Sequence, residues 1–179
     1  MLAAAIFVSC STFLVAQQPT PPKPVPTSAW APKPVKTPGY HGIHKPWTKL
    51  ADLKAKHKGQ PTWRELVVDD GRLTAEYLSA APGTRVTPRF HPDTREWFAV
   101  VEGDVRVEIE GQEPFTATRG SLVNIPRQTI YALATIGTAP SVRFAVNVTG
   151  AKTLFPDAAE RPAPPAGTEW TQVRINRTP

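Results

Sequence analysis

The sequence has one cysteine, Cys10, among its 179 residues. A lone cysteine excludes an intrachain disulfide, so stability must come from packing. Charge of either sign is missing from residues 1–16, MLAAAIFVSCSTFLVA. That run falls short of the ~20 apolar residues of a transmembrane helix. It reads as an export signal cleaved after Ala16, which leaves 163 of the 179 residues and no cysteine. The expected location is therefore periplasmic or secreted. No Lys or Arg precedes the apolar part, and "FVSC" has a faint likeness to a lipoprotein box. Attachment to a membrane is expected only through a lipid on Cys10. Acid is nearly absent from residues 1–60: eight lysines and no arginine stand against Asp52 alone, a net of +7. The remaining thirteen basic and fourteen acidic residues give −1. The positive charge thus belongs to an N-terminal arm. No arginine-aromatic pattern accompanies it, so nucleic acid is not an expected partner. The arm reads as a solvated tether, or alternatively as a contact for a cell-envelope partner.

Proline is abundant, with 21 residues in the chain and eight between residues 17 and 39. Such a segment forms neither helix nor sheet and reads as an extended spacer. Trp30 is its one large aromatic residue. The boundaries that follow are a signal at 1–16, a basic arm at 17–47, a domain at 48–155 and a proline-rich tail at 156–179. TKLADLKAKHK, residues 48–58, predicts a short helix closed by Gly59, with Leu50, Leu53, Ala51 and Ala55 on its apolar side.

From residue 62 the periodicity changes to two. TWRELVVDDGRLTAEYLSA predicts two strands around a turn at Asp69-Asp70-Gly71. TRVTPRFH places Arg85, Thr87, Arg89 and His91 on one face. EWFAVVEG, DVRVEIEG, PFTATRGSLVNIP, TIYALATIG and SVRFAVNVTG continue the pattern. In the last of these, Val142, Phe144, Val146 and Val148 share a face. Many short strands with Gly and Pro turns predict an all-β antiparallel barrel or sandwich.

Two motifs carry a resemblance. Gly83, TRVTP, Arg89-Phe90-His91, then Glu96 and Gly103 follow the pattern G, five residues, H-x-H, three or four residues, E, six residues, G. Gly120, SLVNI and Pro126-Arg127-Gln128 follow G, five residues, P-x-G. Tyr131 falls where that second motif has histidine and Ala134 where it has asparagine. The layout over residues 62–150 resembles the cupin family, which implies a cupin-like jelly-roll antiparallel β-barrel. In the family's metal-binding members three histidines and the glutamate hold one ion. Here the positions carry Arg89, His91, Glu96 and Tyr131. A divalent transition metal would have to use His91, Glu96 and Tyr131. At about 5 Å from Arg89 it would meet roughly 6–7 kcal/mol of gross repulsion at an effective dielectric near 20.

Without a metal, two readings stay open. Arg89 pairs with Glu96 inside the barrel while His91 and Tyr131 complete the bonds, a purely structural arrangement. Or Arg89 clamps a small anionic molecule, with His91, Glu96 and Tyr131 lining the pocket and Phe98 and Val100 walling it. The family also hosts oxygenases and isomerases, so a metal-dependent enzyme with the reduced ligand set is an alternative. His91 beside Glu96 could act as a general base. The sequence leaves enzyme or binding protein undecided. The resemblance also makes a homodimer a natural partner for the arm. His41 and His44 are spaced to bind metal. Asn147-Val148-Thr149 and Asn176-Arg177-Thr178 match the glycosylation pattern.

Overall fold

The computed structural model describes residues 42–157 and 159–177. The signal, Cys10, Trp30, His41 and most of the arm lie outside them. The period-two segments form nine strands: β1 Trp63–Asp69, β2 Leu73–Ala80, β3 Arg85–Arg89, β4 Glu96–Glu102, β5 Asp104–Ile109, β6 Phe115–Ala117, β7 Leu122–Ile125, β8 Tyr131–Ile136 and β9 Ser141–Val148. They build two antiparallel sheets, ordered β1-β2-β9-β4-β7 and β3-β8-β5-β6. This is the jelly-roll arrangement expected from the sequence. Phe98, Val107 and Ile125 lie between the sheets at 0% exposure, with Val100, Val105 and Leu133 around them. Alternation sends one side chain in two toward this core.

Two strands depart from simple alternation. In β3 the register slips between Val86 and Arg89, with Arg85 opposite Ala134 and Arg89 opposite Tyr131. Pro88 sits in the slip, and it has no N–H to give to the ladder. The slip turns Val86 toward the core. Arg85 points outward to Glu108, 3.6 Å away. The expectation that Arg85 shares a face with Arg89 therefore fails, because the bulge inserts a residue between them.

In β9 the apolar face is the outer one. Ala145 lies opposite the fully buried Phe98, and Arg143 lies opposite Val100. Arg143, Ala145 and Asn147 consequently face the barrel interior. Val142, Phe144, Val146 and Val148 face away, and Phe144 packs on Tyr77 with ring centroids 5.0 Å apart.

The outer face of this sheet is partly covered by the one helix among the described residues, α1, Leu50–Lys56. It is shorter than residues 48–58, and Leu50 and Leu53 are half-buried while Ala51 and Ala55 are exposed. Lys54 bonds Glu102 at 2.8 Å, and Lys56 and His57 both reach Glu65. His57 stacks on Trp63, 4.9 Å between centroids. After β9 the chain pairs once more, Leu154 with Phe90, through two backbone bonds of 2.9 and 3.0 Å. The described residues of the tail form no helix or strand, yet Trp170 packs edge-on against Phe155 at 5.4 Å and Arg177 donates to the Gln128 carbonyl at 3.0 Å.

Candidate functional site

Arg89, His91, Glu96 and Tyr131 meet at one cavity of about 330 Å³. Arg89 and Tyr131 are cross-strand partners on β3 and β8. Glu96 opens β4 in the opposite sheet. His91 follows β3 and is held in place by the Phe90–Leu154 pairing beside it.

The hydrogen bonds fix where the protons are. His91 Nδ1 lies 2.9 Å from the Lys152 carbonyl oxygen, which can only accept, so Nδ1 carries a hydrogen. His91 Nε2 lies 2.8 Å from Glu96 Oε2, so a second proton lies between the ring and the carboxylate. Tyr131 donates its hydroxyl to the same oxygen at 3.0 Å. The directions of both pKa shifts favour an imidazolium–carboxylate pair. Burial pushes the His91 ring down, but the bonds to Glu96 and to the Lys152 carbonyl outweigh it and hold the ring above its ordinary pKa. Burial likewise pushes Glu96 up, and the bonds from His91 and Tyr131 bring it below the usual carboxylate value. Burial and the Glu96 charge raise the Tyr131 phenol far above its usual range.

Glu96 is therefore taken by His91 and Tyr131, and the Arg89–Glu96 pair of the purely structural reading does not form. Histidine is the nearer donor, and its bond to Lys152 already orients it. Arg89 is left over. Its Nε is buried without any hydrogen-bond partner, and its guanidinium carbon lies 5.9 Å from the Tyr131 ring centroid. An unpaired buried donor on a charged group costs about 1–3 kcal/mol or more, so its presence asks for an explanation.

Phe98 and Val100 do not line the cavity. Phe98 lies in the core with the Arg143 guanidinium over its ring at 5.4 Å. Arg143 takes that place on the wall, at 8% exposure. Burial pulls its pKa down, and it has no ion pair or hydrogen bond among the described residues. Asn147 is also on the wall, with Nδ2 3.5 Å from Glu96 Oε2 and Oδ1 accepting from the Val148 N–H. Arg64 and Glu76, bonded through Arg64 Nη2 at 3.0 Å, line the cavity too. Arg143 and Asn147 went unread because the polar residues of SVRFAVNV sit on what looked like the solvent side. Their strict alternation with four apolar residues was the available signal. The Lys152 contribution is a backbone carbonyl and leaves no mark in the sequence.

The donor set fits a divalent ion poorly. His91 Nε2 carries a proton, Tyr131 resists becoming phenolate, and two guanidiniums face the same space. Among the described residues no group of three or more His, Cys, Asp or Glu side chains is placed to hold a metal. His44 Nε2 accepts the Asp69 N–H at 3.1 Å. A larger cavity, about 460 Å³, lies under the tail between Phe90, Phe155 and Trp170. No carboxylate or histidine lines it, and the polar cluster belongs to the smaller cavity.

Residues 77–148 match the family model described as Cupin domain. No curated protein matches the chain. Among solved structures it is similar to the Cnp3 cupin domain of Schizosaccharomyces pombe, at 14% identity and a TM-score of 0.45, covering 49% of this chain and 64% of that one. It is similar to KdgF from a Halomonas species at 22% identity and a TM-score of 0.44, covering 50% and 82%. A cupin-like protein of Thermotoga maritima is 18% identical with a TM-score of 0.47, covering 52% and 76%.

Proposed function

Residues 77–148 form a cupin domain, and from that premise we propose that the protein binds a small anionic molecule in its barrel. The observation that carries this reading is Arg89, a half-buried residue whose Nε is buried and unpartnered at the wall of a cavity. The carboxylate that could have neutralised it is engaged by His91 and Tyr131. A ligand carboxylate or phosphate would supply the missing acceptor. On this reading the His91–Glu96–Tyr131 cluster is a rigid floor that keeps Glu96 from folding onto Arg89. The uncharged run at residues 1–16 supports an exported setting, periplasmic or secreted.

Thermal shift with small carboxylates and inorganic phosphate tests the reading. The wild type should be stabilised by at least one of these anions. Arg89→Ala should lose that stabilisation while retaining a cooperative transition. Unchanged stabilisation in Arg89→Ala would remove Arg89 from the site. The metal-dependent alternative is tested by elemental analysis of protein purified without chelator, where one transition-metal ion per chain would favour it.

A further inference from the structure

Arg89 does not face the cavity alone. Arg143 comes from β9, in the opposite sheet, and like Arg89 it has no hydrogen bond or ion pair among the described residues. It is 8% exposed, it lies on the Phe98 ring, and no carboxylate among the described residues is within ion-pair distance. The remaining charges on the lining do not neutralise the two. Glu76 is spent on Arg64, and Glu96 is spent on His91, each a pair with no net charge. Arg89 and Arg143 are then two fixed positive charges on opposite walls of one cavity of about 330 Å³. Arginine keeps its charge under these conditions and cannot relieve the mismatch by losing a proton.

From this we infer that the ligand is a small dianion that bridges the two sheets, one negative group on Arg89 and the other on Arg143. The inference rests on the anion-binding reading above and extends it. Two monoanions would repel each other in so small a space, and one monoanion would leave one cavity-wall guanidinium unmatched. A compact dicarboxylate or a phosphate supplies the shared chemistry. The separation of the arginines on opposing sheets favours the dicarboxylate, whose two charges are themselves apart. Specificity follows from the same argument. An analogue lacking one charge leaves a buried donor group unpaired and is rejected more strongly than an analogue that is merely shorter.

Isothermal titration of the full chain with succinate, malonate, butyrate, propionate and inorganic phosphate at fixed ionic strength tests this. The expected result is that the better dicarboxylate binds at least ten-fold tighter than the monocarboxylate of the same length. Arg143→Gln should erase that preference while leaving monocarboxylate affinity within about two-fold. Tighter binding of phosphate than of either dicarboxylate would keep the dianion and change its kind. Equal affinity of the wild type for mono- and dicarboxylates would overturn the inference and leave the anion-binding reading standing, as would a preference that survives in Arg143→Gln. Failure of every anion to bind would remove both. Should Arg143→Gln lose its cooperative melting transition, Arg143→Lys serves in its place. It keeps the charge without the fork, and the dicarboxylate preference should then fall without vanishing; an undiminished preference would count against the inference.

Discussion

Gln128 is the only non-glycine among the described residues with a left-handed backbone, φ 62°. It stands where the second motif of the resemblance has glycine. Its N–H donates to the His91 carbonyl at 2.7 Å and its own carbonyl accepts from Arg177, so the conformation is fixed from both sides. A side chain in that region costs on the order of 1 kcal/mol. Gln128→Gly should therefore stabilise the protein by about 1 kcal/mol in urea denaturation, without altering the site. The His91–Glu96 pair gives a prediction of a different kind. His91 is raised, so its contribution is full below the ordinary value near 6.5 and is lost as pH rises through the folded value. Glu96 is lowered, so its contribution is full above the ordinary value near 4.3 and is lost as pH falls through the folded one. Stability relative to His91→Gln should be greatest between those two ordinary values and decline on both sides. The His91 ring protons should titrate above 6.5 in NMR. A midpoint below 6.5 would show that the imidazolium pairing is wrong. These four positions were legible in the sequence through the spacing of the two motifs that resemble the cupin family. Who pairs with whom was not, since the choice between Arg89 and His91 for Glu96 depends on where the Lys152 carbonyl stands, 61 residues beyond His91 along the chain.

At the level of elements, the turn between β4 and β5 is the tightest joint. Gly103 has φ 68°, and a Cβ there would lie 2.7 Å from the Pro140 carbonyl oxygen and 2.9 Å from Ser141 Cα, both backbone atoms. Gly111 has φ 78° and open space around it. Gly103→Ala adds overpacking of about 1–3 kcal/mol to the left-handed penalty of about 1–2 kcal/mol, whereas Gly111→Ala carries the second cost alone. The two variants should differ in urea midpoint accordingly, and equal midpoints would show that the approach of Pro140 is not tight. Strand positions and the β1–β2 turn were readable from period-two patterning. The orientation of β9 was not. The usual rule turns the apolar side inward, but here the outer face of the five-stranded sheet also has a cover, α1 with Leu50, Leu53 and His57, so apolar residues are favoured there too. The interior side was free to carry Arg143 and Asn147. The bulge in β3 had a local sign in Pro88, yet a proline alone does not say which side chain will be turned out.

For the whole molecule, the charge seen in composition and the charge that matters at the site are separate matters. The excess of lysine lies in residues 1–60, while the cavity's cations are Arg64, Arg89 and Arg143 in a region with a net of −1. A salt series of anion binding should consequently be shallow, because Arg143 and the Nε of Arg89 are shielded from the solution by burial, while the exposed Arg64 is paired with Glu76. A steep loss between 50 and 500 mM salt, on the order of the loss expected for surface lysines, would place the anion elsewhere. The pairing of Phe90 with Leu154 has a further consequence, in the order of assembly. It closes a loop that contains every strand from β4 to β9, and the Lys152 carbonyl that orients His91 lies just inside that closure. Contacts between residues so distant along the chain carry a high closure entropy and form after the hairpins they enclose. During refolding the β5–β6 hairpin and the pairing of β8 with β5 can form first. The imidazole acquires its final orientation only when the last segment docks, and the cavity matures at the end of the reaction.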